Sequence, residues 1–112
     1  MSEEEVGKEE VNVSEMYEKI KDKKPQRLGF SIGMEGENYI VALDENRAYM
    51  LTAAAYYVWS LCDGSKTLEE LIKYMSKELS ENTETPMKEE ELIEPVTLII
   101  NQLSEVGLLK FT

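Results

Sequence analysis

The feature that most constrains this chain is a change of hydrophobic period between Leu51 and Thr52. Before it, apolar residues recur every second position. RLGFSIG (27–33) places Leu28, Phe30 and Ile32 on one face, NYIVALD (38–44) is rich in β-formers, and RAYML (47–51) is a third short run. MEGEN and DEN carry turn residues between them. Residues 27–51 are therefore predicted to form a three-stranded antiparallel meander.

After Leu51 the period lengthens to three and four. Thr52 is a suitable N-cap for AAAYYVWSLC, in which Ala55, Val58, Trp59 and Cys62 share a stripe. Gly64 stops that helix, since glycine takes the left-handed conformation past a helix end. Thr67 and Glu70 form a capping box for a second helix with Leu68, Leu71, Ile72, Met75 and Leu79 on its buried face. SENTETPMKE reads as a polar loop. A third helix is predicted over 89–106, with Leu92, Val96, Ile99, Leu103 and Val106 as its core stripe. Pro95 is acceptable only near a first turn, so this helix either starts late or bends. Gly107 ends it, and LLKF either adds a short strand or packs down.

At the other end, NVSEMYEKIK (12–21) fits a short helix capped by Asn12 or Ser14, which Pro25 cannot continue. The acidic start, MSEEEVGKEE, has almost nothing to bury. We expect residues 1–12 to be a disordered tail and 13–112 a single domain, because 112 residues suffice for one core and not two.

Composition closes most catalytic designs. The chain has no histidine and one cysteine, so no Cys/His zinc site, Ser-His-Asp or Cys-His arrangement, internal disulfide or iron–sulfur cluster can be assembled from it. LCDGSKTLEEL (61–71) resembles a catalytic loop, but nothing near Cys62 offers a base, and its residues are accounted for as helix stop, turn and cap. Glu89, Glu90 and Glu91 are the only carboxylate cluster, and three consecutive residues at a helix start favour the positive end of its dipole. A net charge of −11, with no basic face, argues against nucleic acid as a partner. No apolar run is long enough to span a bilayer and residues 1–30 lack a signal peptide, so no membrane partner and a cytoplasmic location are expected.

The run YIVALDENRAYMLTAAAYYVWSLCDGSKTLEELIKYMSKEL, followed by a third helix ending in EVGLL, resembles the PqqD family of small proteins that present precursor peptides to radical SAM enzymes. The likeness rests on a strand ending in Leu and Thr, an alanine-rich aromatic helix, the LCDG turn, the TLEEL cap and a terminal GLL. It covers residues 38–111, about two thirds of the chain. It implies an α+β, winged-helix-like fold, with a three-stranded antiparallel sheet followed by three helices. It also implies a RiPP recognition element: a domain that binds the leader of a ribosomally made precursor as an added strand along its third strand, in the groove beside its third helix.

Carried onto this sequence, that edge is Arg47 to Leu51, with Tyr49, Met50 and Leu51 on it. Tyr49 and Met50 point to opposite faces, so at most one meets ligand side chains. Arg47 is either an anchor for an acidic leader residue or a solvated edge charge that blocks aggregation. On the third helix, Ile93, Thr97, Ile100, Asn101 and Ser104 form a second row beside the core stripe. This row either lines the groove or, at Ile93 and Ile100, widens the core face. The N-terminal extension has no counterpart in the motif and serves as a tail, a docking segment or a cover for the edge.

The leading expectation is a non-catalytic peptide-binding chaperone, without cofactor, whose partners are a leader peptide and a peptide-modifying enzyme of the radical SAM class supplied in trans. A homodimer through the open edge is a further partner of this kind. The alternative is an acidic winged-helix adaptor or transcription-associated interaction domain. A DNA reader should carry Arg or Lys on its recognition helix, and residues 89–106 have neither.

Overall fold

The computed structural model describes residues 12–82 and 87–112. The tail expected over residues 1–12 lies, Asn12 apart, outside them, as does the centre of the expected loop after the second helix. The described elements are α1 (Val13–Ile20), β1 (Pro25–Arg27), β2 (Phe30–Glu35), β3 (Asn38–Asp44), β4 (Arg47–Leu51), α2 (Ala53–Leu61), α3 (Leu68–Asn82), α4 (Glu89–Glu105) and β5 (Leu109–Phe111). The expected α+β class holds: β2, β3 and β4 form an antiparallel sheet in that order, and helices follow it.

Local chemistry sets the helix starts. The Asn12 side chain accepts from the Glu15 amide at 3.1 Å and Thr52 Oγ1 accepts from the Ala55 amide at 3.2 Å. At α3, Thr67 Oγ1 accepts from Glu70 N while Glu70 Oε1 accepts from Thr67 N, the reciprocal pair expected of a capping box. Two further amides of that terminus, Leu68 and Glu69, donate to the carbonyls of Lys23 and Lys21, which ties the end of α1 to the start of α3.

The expected strand 27–33 is two strands in two sheets. Gly29 divides them: it has φ +86°, and a Cβ there would press into the Ala42 carbonyl oxygen. Upstream of it, β1 pairs antiparallel with β5, so the C-terminal LKF does form a strand. Trp59 holds this junction, its Nε1 donating to the carbonyls of both Leu28 and Leu108 at 3.1 Å. Downstream, β2 is exposed throughout and carries an irregularity between Ser31 and Gly33. Leu28 is half-buried, but Phe30 (56 % exposed), Ile32 and Met34 face solvent instead of completing a buried face.

One helix boundary also differs: the run expected to be loop from Ser80 continues α3 as far as Asn82. α4 starts at Glu89 as expected and continues through Pro95 for 17 residues in all, and Glu91 Oε1 accepts from the Lys88 amide at 2.9 Å to close its start. α4 is the central element, touched by α1, α2, α3 and β5. A helix covered from several sides buries a broad arc, here Leu92, Val96, Thr97, Ile100 and Leu103.

Candidate peptide-binding cleft

β4 is an edge strand of its sheet, paired only with β3. The register sets Tyr39 opposite Leu51 and Val41 opposite Tyr49, the residues that turn towards the core, whereas Ile40 faces Met50 and Ala42 faces Ala48 on the other side. Val41 and Leu51 are buried, and Met50 is 53 % exposed. Tyr39 stacks on Tyr56 with ring centroids 4.1 Å apart, and Tyr56 reaches on to Trp59, which fixes the sheet to α2.

Beside β4 lies a cleft of about 240 Å³, bordered by Tyr49 to Thr52 and Ala55 on one side and by Ile99, Gln102, Leu103 and Val106 of the α4 end on the other. These α4 positions are not the row Ile93, Thr97, Ile100, Asn101 and Ser104. Thr97 and Ile100 are both 0 % exposed, within the core. Ile93 packs partly against the core and borders a hollow with Asn12 to Ser14 at the start of α1. Asn101 Nδ2 donates to Glu105 Oε2 at 3.3 Å, and Ser104 is half-buried. Apart from Gln102, the α4 residues beside the strand come from the expected core stripe. α4 is packed by α1, α2, α3 and β5, with Ile100 inside and Ile99 half-open.

Arg47 stands at the far end of β4, outside the cleft. Its Nη2 and Nε donate to Asp44 Oδ2 at 2.9 and 3.1 Å, while the amides of Asn46 and Arg47 donate to Asp44 Oδ1. The Arg47 side-chain hydrogen bond, followed by the Asn46 amide, holds the Asp44 carboxyl below its usual range. The guanidinium is thus committed to its own turn.

The stretch around Cys62 is structural. The thiol is buried, donates to the Val58 carbonyl at 3.2 Å, and burial pushes its pKa up to about 12. Asp63 accepts from the amide and hydroxyl of Ser65. Among the described residues no group of three or more His, Cys, Asp or Glu is placed to hold a metal ion, and no helix is long and apolar enough to cross a membrane.

An open strand edge running beside an apolar cleft is the geometry by which small domains take up extended peptides. The family model for coenzyme PQQ synthesis protein D (PqqD) matches residues 38–109. The chain belongs to this family, whose members are accessory, peptide-binding proteins. The matched segment begins at β3 and ends within β5, so α1, β1 and β2 lie ahead of it. No curated protein and no solved structure matches the chain.

Proposed function

We propose that the protein is a non-catalytic chaperone that captures the leader of a ribosomally made precursor peptide by strand addition at β4 and presents it to a modifying enzyme of the radical SAM class. The observation that carries this reading is the cleft beside the β4 edge. A peptide laid along Arg47–Leu51 pairs its main chain with the unpaired side of that strand. Its alternate side chains then enter a cleft whose α4 wall is Ile99, Leu103 and Val106, with Gln102 as the polar residue on that wall.

In this reading the peptide's side chains meet Tyr49, Ile99, Gln102, Leu103 and Val106, whereas Met50 and Leu51 contribute their main chain. Arg47 is a turn residue, and Thr97 and Ile100 are supports. An edge strand recognises backbone generically, so affinity for a particular leader resides in the side chains that meet the α4 wall. A net charge of −11 favours leaders with basic residues and disfavours duplex DNA.

The test is an NMR titration of the ¹⁵N-labelled chain with leader peptides encoded near it, with duplex DNA as the control. Shifts on 47–52 and on 99, 102, 103 and 106, with none from DNA, are expected. Shifts restricted to other surfaces, or a response to DNA alone, would sink the proposal in favour of an acidic adaptor.

A further inference from the structure

The cleft beside β4 does not stop where the strand stops. Past Thr52 one wall becomes the first turn of α2 and the other becomes the N-terminal half of α4. Between them lies a second hollow, about 410 Å³, and Ile99 borders both. Met75 and Val96 of the core lie at its floor, while Ala53, Ala54 and Pro95 are exposed at its mouth. Alanine at two successive positions leaves the space open; larger side chains there would close it. No charged residue lines it. Its size falls within the roughly 300–1,000 Å³ of ligand clefts, ample for one aromatic side chain.

Its position relative to the strand edge is fixed by the helix. The stretches of α4 that border the two hollows, 99–106 and 92–99, are centred roughly seven residues apart, or about 10 Å along the axis. An extended peptide covers that distance in about three residues. A third wall comes from α3, through Met75 and Leu79, so apolar side chains enclose the hollow on every side but its mouth.

Resting on the reading of β4 as the edge that takes up the leader, we propose that this second hollow is an anchor subsite for the same peptide. It receives one bulky apolar side chain about three residues beyond the segment that pairs with β4. The apolar interior selects that side chain. Anchor and strand then bind as linked elements of one chain, which strengthens binding without lengthening the strand.

The test uses synthetic peptides and the full labelled chain. The reference is a strand of alternating Thr and Val. Two longer peptides extend it by Gly-Ser-Trp-Ser, one at each end, because the chain sense of the added strand decides which end reaches the hollow. A fourth carries Ala in place of Trp at the productive end. All should shift amides of 47–51. One Trp peptide should also shift Ala53, Ala54 and Ile99 and bind on the order of tenfold more tightly than the reference, the effect of burying one large side chain. The Ala peptide should lose that gain. Ala54→Trp, which fills the hollow from its mouth, should bring the extended peptide down to the affinity of the reference strand.

Shifts on β4 with a silent hollow and equal affinities for every peptide overturn the anchor and leave the strand-addition reading standing. Shifts in the hollow with none on β4 overturn both.

Discussion

Ile99 and Ile100 are neighbours of identical composition to which the structure gives different work, and replacing each by alanine separates support from recognition. Ile100 is 0 % exposed. Removing three carbons there forfeits about 0.8 kcal/mol each and leaves a cavity walled by core residues, for a total of about 2–5 kcal/mol. A domain of this size is stable by about 5–15 kcal/mol and loses about 4–8 °C of melting temperature per kcal/mol, so Ile100→Ala should remain folded at 10 °C with a Tm lowered by about 8–40 °C. Ile99 is half-buried and borders two hollows that are already open. Its truncation loses about half the transfer energy and creates little new cavity, so about 1 kcal/mol of stability is expected to go. It removes a wall from the proposed peptide cleft, however, and leader affinity should fall about five- to thirtyfold, the range of a contact worth about 1–2 kcal/mol. The assays are thermal melts followed by circular dichroism and titration calorimetry with a leader at 10 °C, where both variants are folded. Wild-type affinity for Ile99→Ala together with lost affinity for fully folded Ile100→Ala would refute the assignment of the α4 faces.

Three further outcomes follow from buried or capped polar groups. Thr97 Oγ1 is buried without a hydrogen-bond partner, so Thr97→Val, which keeps the shape and removes the unpaired hydroxyl, should raise stability by about 1 kcal/mol in a urea melt and leave peptide affinity unchanged. The Cys62 thiol, raised to about 12 by burial, should resist iodoacetamide at pH 8 until the chain is unfolded, as read by mass spectrometry. Because that folded pKa lies above the usual 9.0, the contribution is complete below pH 9 and is lost as pH rises towards 12. Asp44, Asp63 and Glu70 shift the other way, held down chiefly by the Arg47 side chain, the Ser65 hydroxyl and the Thr67 amide respectively. Their folded forms bind protons less readily than the unfolded chain, so urea midpoints should be level near neutrality and fall as pH drops below the usual 3.8 and 4.5 of these carboxyls; midpoints that rise on acidification would contradict the caps.

The parts of the fold legible in the sequence are those fixed by neighbours in the chain. Asn12, Thr52 and the Thr67–Glu70 pair cap what they were expected to cap, because a cap is settled within four residues. β3 and β4 follow from period two and a tight turn. The β1–β5 pair was not legible in that way: LLKF allowed a strand, but Gln26 and Lys110 become partners only after everything between them has folded, and nothing in either three-residue run names the other. Gly29 was readable as a break in principle, since a glycine within an alternating run often marks a close backbone approach. The alternation of Leu28, Phe30 and Ile32 carried the reading instead, and it failed because a protruding strand can keep period two with no core against it.

The site divides along the same line. That β4 is an edge follows from strand order, but which side of α4 faces it does not follow from α4 at all. Its two candidate rows, 92–96–99–103 and 93–97–100–104, are offset by one residue, and both carry apolar side chains, so periodicity reports one wide arc and leaves the rotation undetermined. The rotation is set from outside by the elements packed on α4, which are α1, α2, α3 and β5, and of these α1 lies ahead of the segment that carries the family match. Polarity does not settle it either: Thr97, Asn101 and Ser104 put polar side chains in one row, yet Thr97 is wholly enclosed with its hydroxyl unpaired. The row beside β4 is apolar except for Gln102. That is the composition a strand-adding groove requires: the edge already supplies hydrogen bonds to the peptide's main chain, so the opposite wall need offer only shape and apolar surface, and a polar wall would have to be desolvated without a partner.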